Sequence, residues 1–124
     1  MPHSYQEGTD IHPHIHYSAS IGSSITYYSY IGLEYTWVNL GDSFPSSTTL
    51  LNTQILMPTS SMTHALGEIG IISGTGKKIS SILVCRLYRN GTNALDTYPF
   101  DIYIYEIDFH FMQQGIGSTQ EYIK

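Results

Sequence analysis

The chain has 124 residues and a formal net charge of −5, with 41% hydrophobic but only 12% charged residues. That length fits one domain able to bury a core without disulfides or metal, and the composition excludes a disordered chain. The few Lys and Arg residues form no long run, which excludes the basic face that nucleic acid requires and disfavours anionic membrane surfaces.

Charged residues stand at about half their usual share, so the polar surface falls to Ser, Thr, Asn, Gln and Tyr. Such a surface does little to repel copies of itself and favours a domain partly covered in an assembly. Cys85 is the single cysteine and lies in the apolar run Ile82-Leu83-Val84-Cys85. It is expected as a buried small hydrophobe, since no local partner would lower its pKa. The start, Met1-Pro2-His3-Ser4, carries no signal-peptide apolar core. No apolar run approaches the roughly 20 residues of a membrane span. The expectation is synthesis in a cytoplasm without export, as one domain over 1–124, open to being the C-terminal part of a longer protein.

In chain order, Ile11 to Tyr17 alternates strictly, with Ile11, Pro13, Ile15 and Tyr17 on one face and His12, His14 and His16 on the other. Pro13 has no N–H, which predicts an edge or a sheet end. Ile25 to Val38 is a long Tyr-rich strand, expected to break near Gly32. Thr48 to Met57 reads as a strand stopped by Pro58. Residues 62–72 read as irregular or extended, with a short strand over Ile69 to Ile72. Gly74-Thr75-Gly76-Lys77 reads as a turn. Ile79 to Arg89 is apolar on both faces, which predicts a central strand. Asn90-Gly91 opens a loop, Phe100 to Met112 is the last long strand, and Gly115 to Ser118 is turn-like before a polar end. Ala and Leu are sparse, and no amphipathic helix stands out. Six to eight strands with short connections predict an all-β fold, an antiparallel sandwich of jelly-roll-like type.

The row His12, His14, His16 carries the clearest chemical signal. Two of three such imidazoles, about 6–7 Å apart between successive Cα atoms, can reach one Zn²⁺ at about 2.0–2.1 Å. On the last strand Glu106, Asp108 and His110 share a face. If the two strands are neighbours, His14, His16, Asp108 and His110 meet. The metal candidates are therefore His12, His14, His16 and His110, as a structural site. The alternative, which stays open, is hydrogen bonding to Tyr hydroxyls and backbone or a subunit contact. No organic cofactor is implied.

Catalytic signatures are missing. A cupin needs a Glu shortly after His-x-His, whereas the first Glu after His16 is Glu34. Gly74-Thr75-Gly76-Lys77-Lys78 is too short for a phosphate loop, and no nucleophile elbow occurs. The expectation is a protein that is not an enzyme, with a metal-binding, cupin-like jelly roll as a further reading. Tyr27, Tyr30, Tyr35 and Trp37, with Tyr103 and Tyr105, are the candidate interface residues, with a place in the core as the open alternative, because such rings bury area while keeping a polar edge. They also suit sugar stacking, so a glycan-binding module is a second reading.

Three stretches resemble a family of short tailed-phage and prophage virion proteins: Glu7 to Tyr17 (EGTDIHPHIHY), Gly32 to Asn39 (GLEYTWVN), and Glu106 to Phe111 (EIDFHF) with Gly117 to Lys124 (GSTQEYIK). Ser80 to Arg89 and Asp96-Thr97-Tyr98 are similar to it as well. The resemblance implies a virion-associated structural protein, whether capsid decoration, head fibre or tail and spike component. It implies partners among other phage virion proteins, a homotrimer or other self-assembly, and, for a tail-tip role, a host surface glycan. It brings no catalytic residue.

Overall fold

The computed structural model describes residues 1–117, and every regular element among them is a strand. They are β1 (Ile11–Ala19), β2 (Tyr28–Val38), β3 (Thr49–Leu56), β4 (Ala65–Glu68), β5 (Ile82–Arg89) and β6 (Ile102–Phe111). Two three-stranded antiparallel sheets result, ordered β4-β1-β6 and β3-β2-β5. The expected all-β sandwich is what forms. Residues 118–124, including Ser118 of the tail turn and the polar end, lie outside the described residues.

The alternation in β1 drives the packing. Ile11, Pro13, Ile15 and Tyr17 are buried at 2% exposure or less and face the second sheet. There they join Ile31, Leu33 and Trp37 of β2, with Tyr5, Ile55, Met57, Ile69, Ile72 and Tyr98, in one core. Burying a Leu, Ile or Val side chain is worth about 1.5–3 kcal/mol, so this inward set accounts for the pairing of the sheets.

Four expectations need correcting. Pro13 lies in a central strand, not at an edge. Its carbonyl accepts from Ile69 N–H at 3.0 Å, beyond the end of the β1–β4 ladder, which stops at His14↔Glu68. N–H and C=O of one strand residue point to the same side, so the missing donor also points there and the β6 ladder loses nothing. β2 runs unbroken through Gly32, opposite Asn52 and Tyr88. Gly32 is needed because a Cβ there would sit 2.2 Å from the Tyr88 ring. The short strand is Ala65–Glu68, while Ile72 makes only an isolated bridge to Ile11. β5 is an edge strand, not a central one, since β2 occupies the middle of its sheet.

The Gly74–Lys77 turn forms as expected, with Lys77 N–H donating to Gly74 C=O at 2.8 Å. Gly74 itself is pressed against backbone: a Cβ would fall 1.7 Å from the Thr9 carbonyl oxygen, while its N–H donates to Asp10 Oδ1 at 2.9 Å. Gly74→Ala is therefore expected to destabilise the fold by about 1–3 kcal/mol, the usual cost of overpacking. Thermal denaturation against Gly91→Ala checks this, because the only atom near a Cβ at Gly91 is Arg89 Nε at 4.0 Å.

The loop from residue 90 to 101 carries the chain from one sheet to the other and is held by a charged staple. Arg89 Nε and Nη2 donate to Asp96 Oδ2 and Oδ1 at 2.8 and 2.6 Å. Asp96 Oδ2 also accepts from Tyr30 N–H at 2.9 Å, and Arg89 donates to the Phe100 carbonyl at 2.6 Å and to the Tyr98 carbonyl. The Tyr98 hydroxyl then accepts from Ile21 N–H and donates to Ile21 C=O, at 3.0 and 2.8 Å.

Candidate functional site

Two surfaces stand out. The first is the outer face of the β4-β1-β6 sheet. Antiparallel register sets His12 opposite His110, His14 opposite Asp108 and His16 opposite Glu106. On the other side of β1, His14 faces Glu68 and His16 faces Leu66. The strand neighbours anticipated from sequence are thus adjacent.

Three donor atoms converge there. His14 Nε2 and His16 Nε2 lie 3.2 Å apart, and Asp108 Oδ2 lies 3.3 Å from the first and 3.2 Å from the second. Among the described residues this trio is the one cluster whose donors all fall within 4.8 Å of one another. His14 is 8% exposed, at the centre of the sheet, while His16 and Asp108 are reached by solvent. His110 packs its ring 4.6 Å from that of His14, and with His12, Leu66 and Glu68 it borders a cleft of about 360 Å³. Of the four histidines singled out from sequence, His14 and His16 are therefore brought together, and His12 and His110 stand beside them without joining the trio. Asp108 completes it and was legible from its shared face with His110.

His64 was not legible. It sits just before β4 and stacks on His16 with ring centroids 4.9 Å apart, its Nε2 2.7 Å from His16 Nδ1. An isolated histidine in a connection gives no periodic signal. A register shift between His16 and Tyr17 inserts Tyr105 as an extra residue on β6, turning its hydroxyl to Ser18 Oγ at 2.7 Å. Bulges of this kind re-aim side chains beside sites.

The second surface is the side of the sandwich between β5 and β6. The sheets approach closely at the β3/β4 edge, the only place among the described residues where strands of the two sheets come within 8 Å between Cα atoms. On the opposite side a cleft of about 450 Å³ separates them, bordered by Pro2, Ile11, Leu83, Cys85, Phe109 and Phe111. Cys85 is accordingly exposed, not buried as expected. It points inward from β5, opposite Tyr35, but no described strand closes over it. Desolvation by its apolar neighbours pushes its thiol up, which makes it a poor nucleophile. Ile82 and Val84, on the other face of β5, are 51% and 49% exposed.

The aromatic candidates divide. Trp37 is a core residue and not an interface one: it is 6% exposed, and its Nε1–H donates to Ser81 Oγ at 2.8 Å. Tyr27 packs edge-on against Tyr98 at 5.9 Å, and both Tyr27 and Tyr35 lean on the core. Tyr30 is half-buried. Tyr103 and Tyr105 are exposed on the same face as the His–Asp trio.

No family model matches the sequence, and no curated protein or solved structure is significantly similar to the chain.

Proposed function

We propose that the chain is a non-enzymatic assembly module, built to associate with copies of itself in a tailed-phage particle. The observation that carries this reading is the open side of the sandwich. β5 and β6 are edge strands among the described residues, so each turns one row of backbone donors and acceptors toward no described strand. Between them lies an apolar cleft lined by Ile11, Leu83, Phe109 and Phe111, and Ile82 at its border is exposed. Monomeric domains rarely leave contiguous apolar surface of this kind uncovered. A second copy is the occupant that fits, because a surface poor in charge sets little repulsion against self-association. Closed symmetry, with a trimer as the expected form, would let one such contact repeat without leaving an open edge. The phage setting rests on the sequence resemblance alone.

Light scattering coupled to gel filtration tests the reading. A trimer or other closed oligomer is expected, and a monomer at high protein concentration would remove it. Thiol labelling adds a local readout. Cys85 should react slowly in the oligomer and rapidly once dilution or mild denaturant separates the copies.

A further inference from the structure

The His–Asp trio lies on the opposite face of its sheet from the apolar cleft, so a ligand held there is independent of self-association through the β5/β6 side. We propose that His14 Nε2, His16 Nε2 and Asp108 Oδ2 form a mononuclear site for a divalent first-row transition cation, Zn²⁺ being the ion to test, with one position open to solvent.

Geometry is the first support. Donors at about 2.0–2.1 Å from a tetrahedral Zn²⁺ are separated from one another by about 3.3–3.4 Å. The three separations here are 3.2, 3.2 and 3.3 Å, one triangular face of such a tetrahedron. The strand architecture imposes this face. Two residues of one strand, His14 and His16, project to the same side, and Asp108 stands across from His14 on the neighbouring strand.

Proton arithmetic is the second. A neutral imidazole has one N–H and one lone pair, and a carboxylate only accepts. If both Nε2 atoms carry hydrogen, each donates to Asp108, but the two N–H groups then confront each other. If only one carries hydrogen, the other presents its lone pair to the carboxylate oxygen. No neutral arrangement satisfies all three contacts. A cation at their centre does, since every lone pair then points at it.

His64 is the third. Metal-ligating histidines almost always donate their second ring N–H to a fixed acceptor, which selects the tautomer. His16 Nδ1 lies 2.7 Å from His64 Nε2. With that proton on Nδ1, the His16 Nε2 lone pair is directed at the site.

Charge is the fourth. Glu68 and Glu106 are the register partners of His14 and His16. Arg86 and Arg89 lie on the other sheet, paired with Glu34 and Asp96, and Lys77 donates to the Trp37 carbonyl. A negative field with no nearby Lys or Arg among the described residues favours a divalent cation. Two imidazoles and one carboxylate select a transition ion over Mg²⁺ or Ca²⁺, which prefer all-oxygen shells.

Titration calorimetry of tag-free, EDTA-treated protein with Zn²⁺ tests the site, and Co²⁺ gives a visible spectrum that reports coordination. The expected result is one ion per chain and a tetrahedral-type Co²⁺ absorption. His64→Gln should weaken binding by about 10–100-fold, Asp108→Asn and His16→Gln should weaken it further, and His12→Gln should bind as the parent does. If Asp108→Asn fails to fold, His16→Gln on the more exposed side carries the same test. Absence of binding in the parent, or undiminished binding in both Asp108→Asn and His16→Gln, would overturn the proposal.

Discussion

Asp96→Ala is expected to be the most destabilising single substitution at a charged position, costing about 3–5 kcal/mol, toward the lower end because Arg89 keeps some contact with water. The Asp96 side chain is 2% exposed and that of Arg89 is 22% exposed. Truncation would strand a guanidinium whose two-pronged partner is gone and leave the Tyr30 N–H without its acceptor. A domain of this size has only about 5–15 kcal/mol of stability in total. Because the staple anchors the loop that passes between sheets, the loss should appear as a lower denaturant midpoint for the whole domain, not as local fraying. Replacing both partners, as in Arg89→Met with Asp96→Leu, should cost less than Asp96→Ala alone, since no buried charge is then left unpaired.

The same pair sets an acid limit. Burial alone would push the Asp96 carboxyl up. The hydrogen bonds from Arg89 and the Tyr30 amide, with the guanidinium charge, outweigh it and hold the group below its ordinary value of 3.8. Arg89 is held above its own ordinary value, first by the hydrogen bonds to Asp96. For a carboxyl depressed on folding, the stabilisation is fully present above the unfolded value. It is lost as pH falls through the depressed folded one. Unfolding free energy should therefore decline below about pH 5, and the decline should be shallower in Asp96→Asn, which has no carboxylate to protonate there.

How much of this was legible from residues depends on whether one face of a strand was committed to the core. In β1 the contrast between Ile11, Ile15 and Tyr17 and the three histidines was complete, so strand and faces could be read, while the meeting with Asp108 depended on β1 and β6 being neighbours, which residues alone do not decide. In β5 it was not. Ile82, Leu83, Val84 and Cys85 are apolar on both faces, a pattern that in a closed monomer means a central strand. Here it marks an edge beside an open cleft, and only the partner strands distinguish the two. Gly32 suggested a break because sequence does not show that the Tyr88 ring fills its place. Trp37 suggested an interface because sequence does not show Ser81 waiting for its N–H. His64 reaches the site through the connection before β4, a tertiary placement with no local pattern.

Cys85→Glu is expected to convert the proposed oligomer into a folded monomer. The side chain is exposed at the apolar opening, so in the separate chain a glutamate can reach water at little cost to the core. In an assembled contact the same carboxylate would be enclosed among Leu83, Phe109 and Phe111, where the one cationic group of a described residue bordering the cleft, the Met1 ammonium, is already engaged by the Ser81 carbonyl. Burying an unpaired charge costs several kcal/mol. Even about 3 kcal/mol lowers an association constant more than a hundredfold. Cys85→Ser, which adds no charge, should keep the parent's mass by light scattering. The pair of variants separates electrostatic disruption of a contact from loss of the thiol. If Cys85→Glu remains an oligomer of unchanged stability, the β5/β6 side is not where the copies meet. The exposed face bearing Tyr103 and Tyr105 then becomes the surface to substitute next. If it is a monomer with an unchanged far-ultraviolet spectrum, the apolar opening is the contact, and the inward apolar residues of β5, Leu83 and Cys85, have their physical cause in assembly.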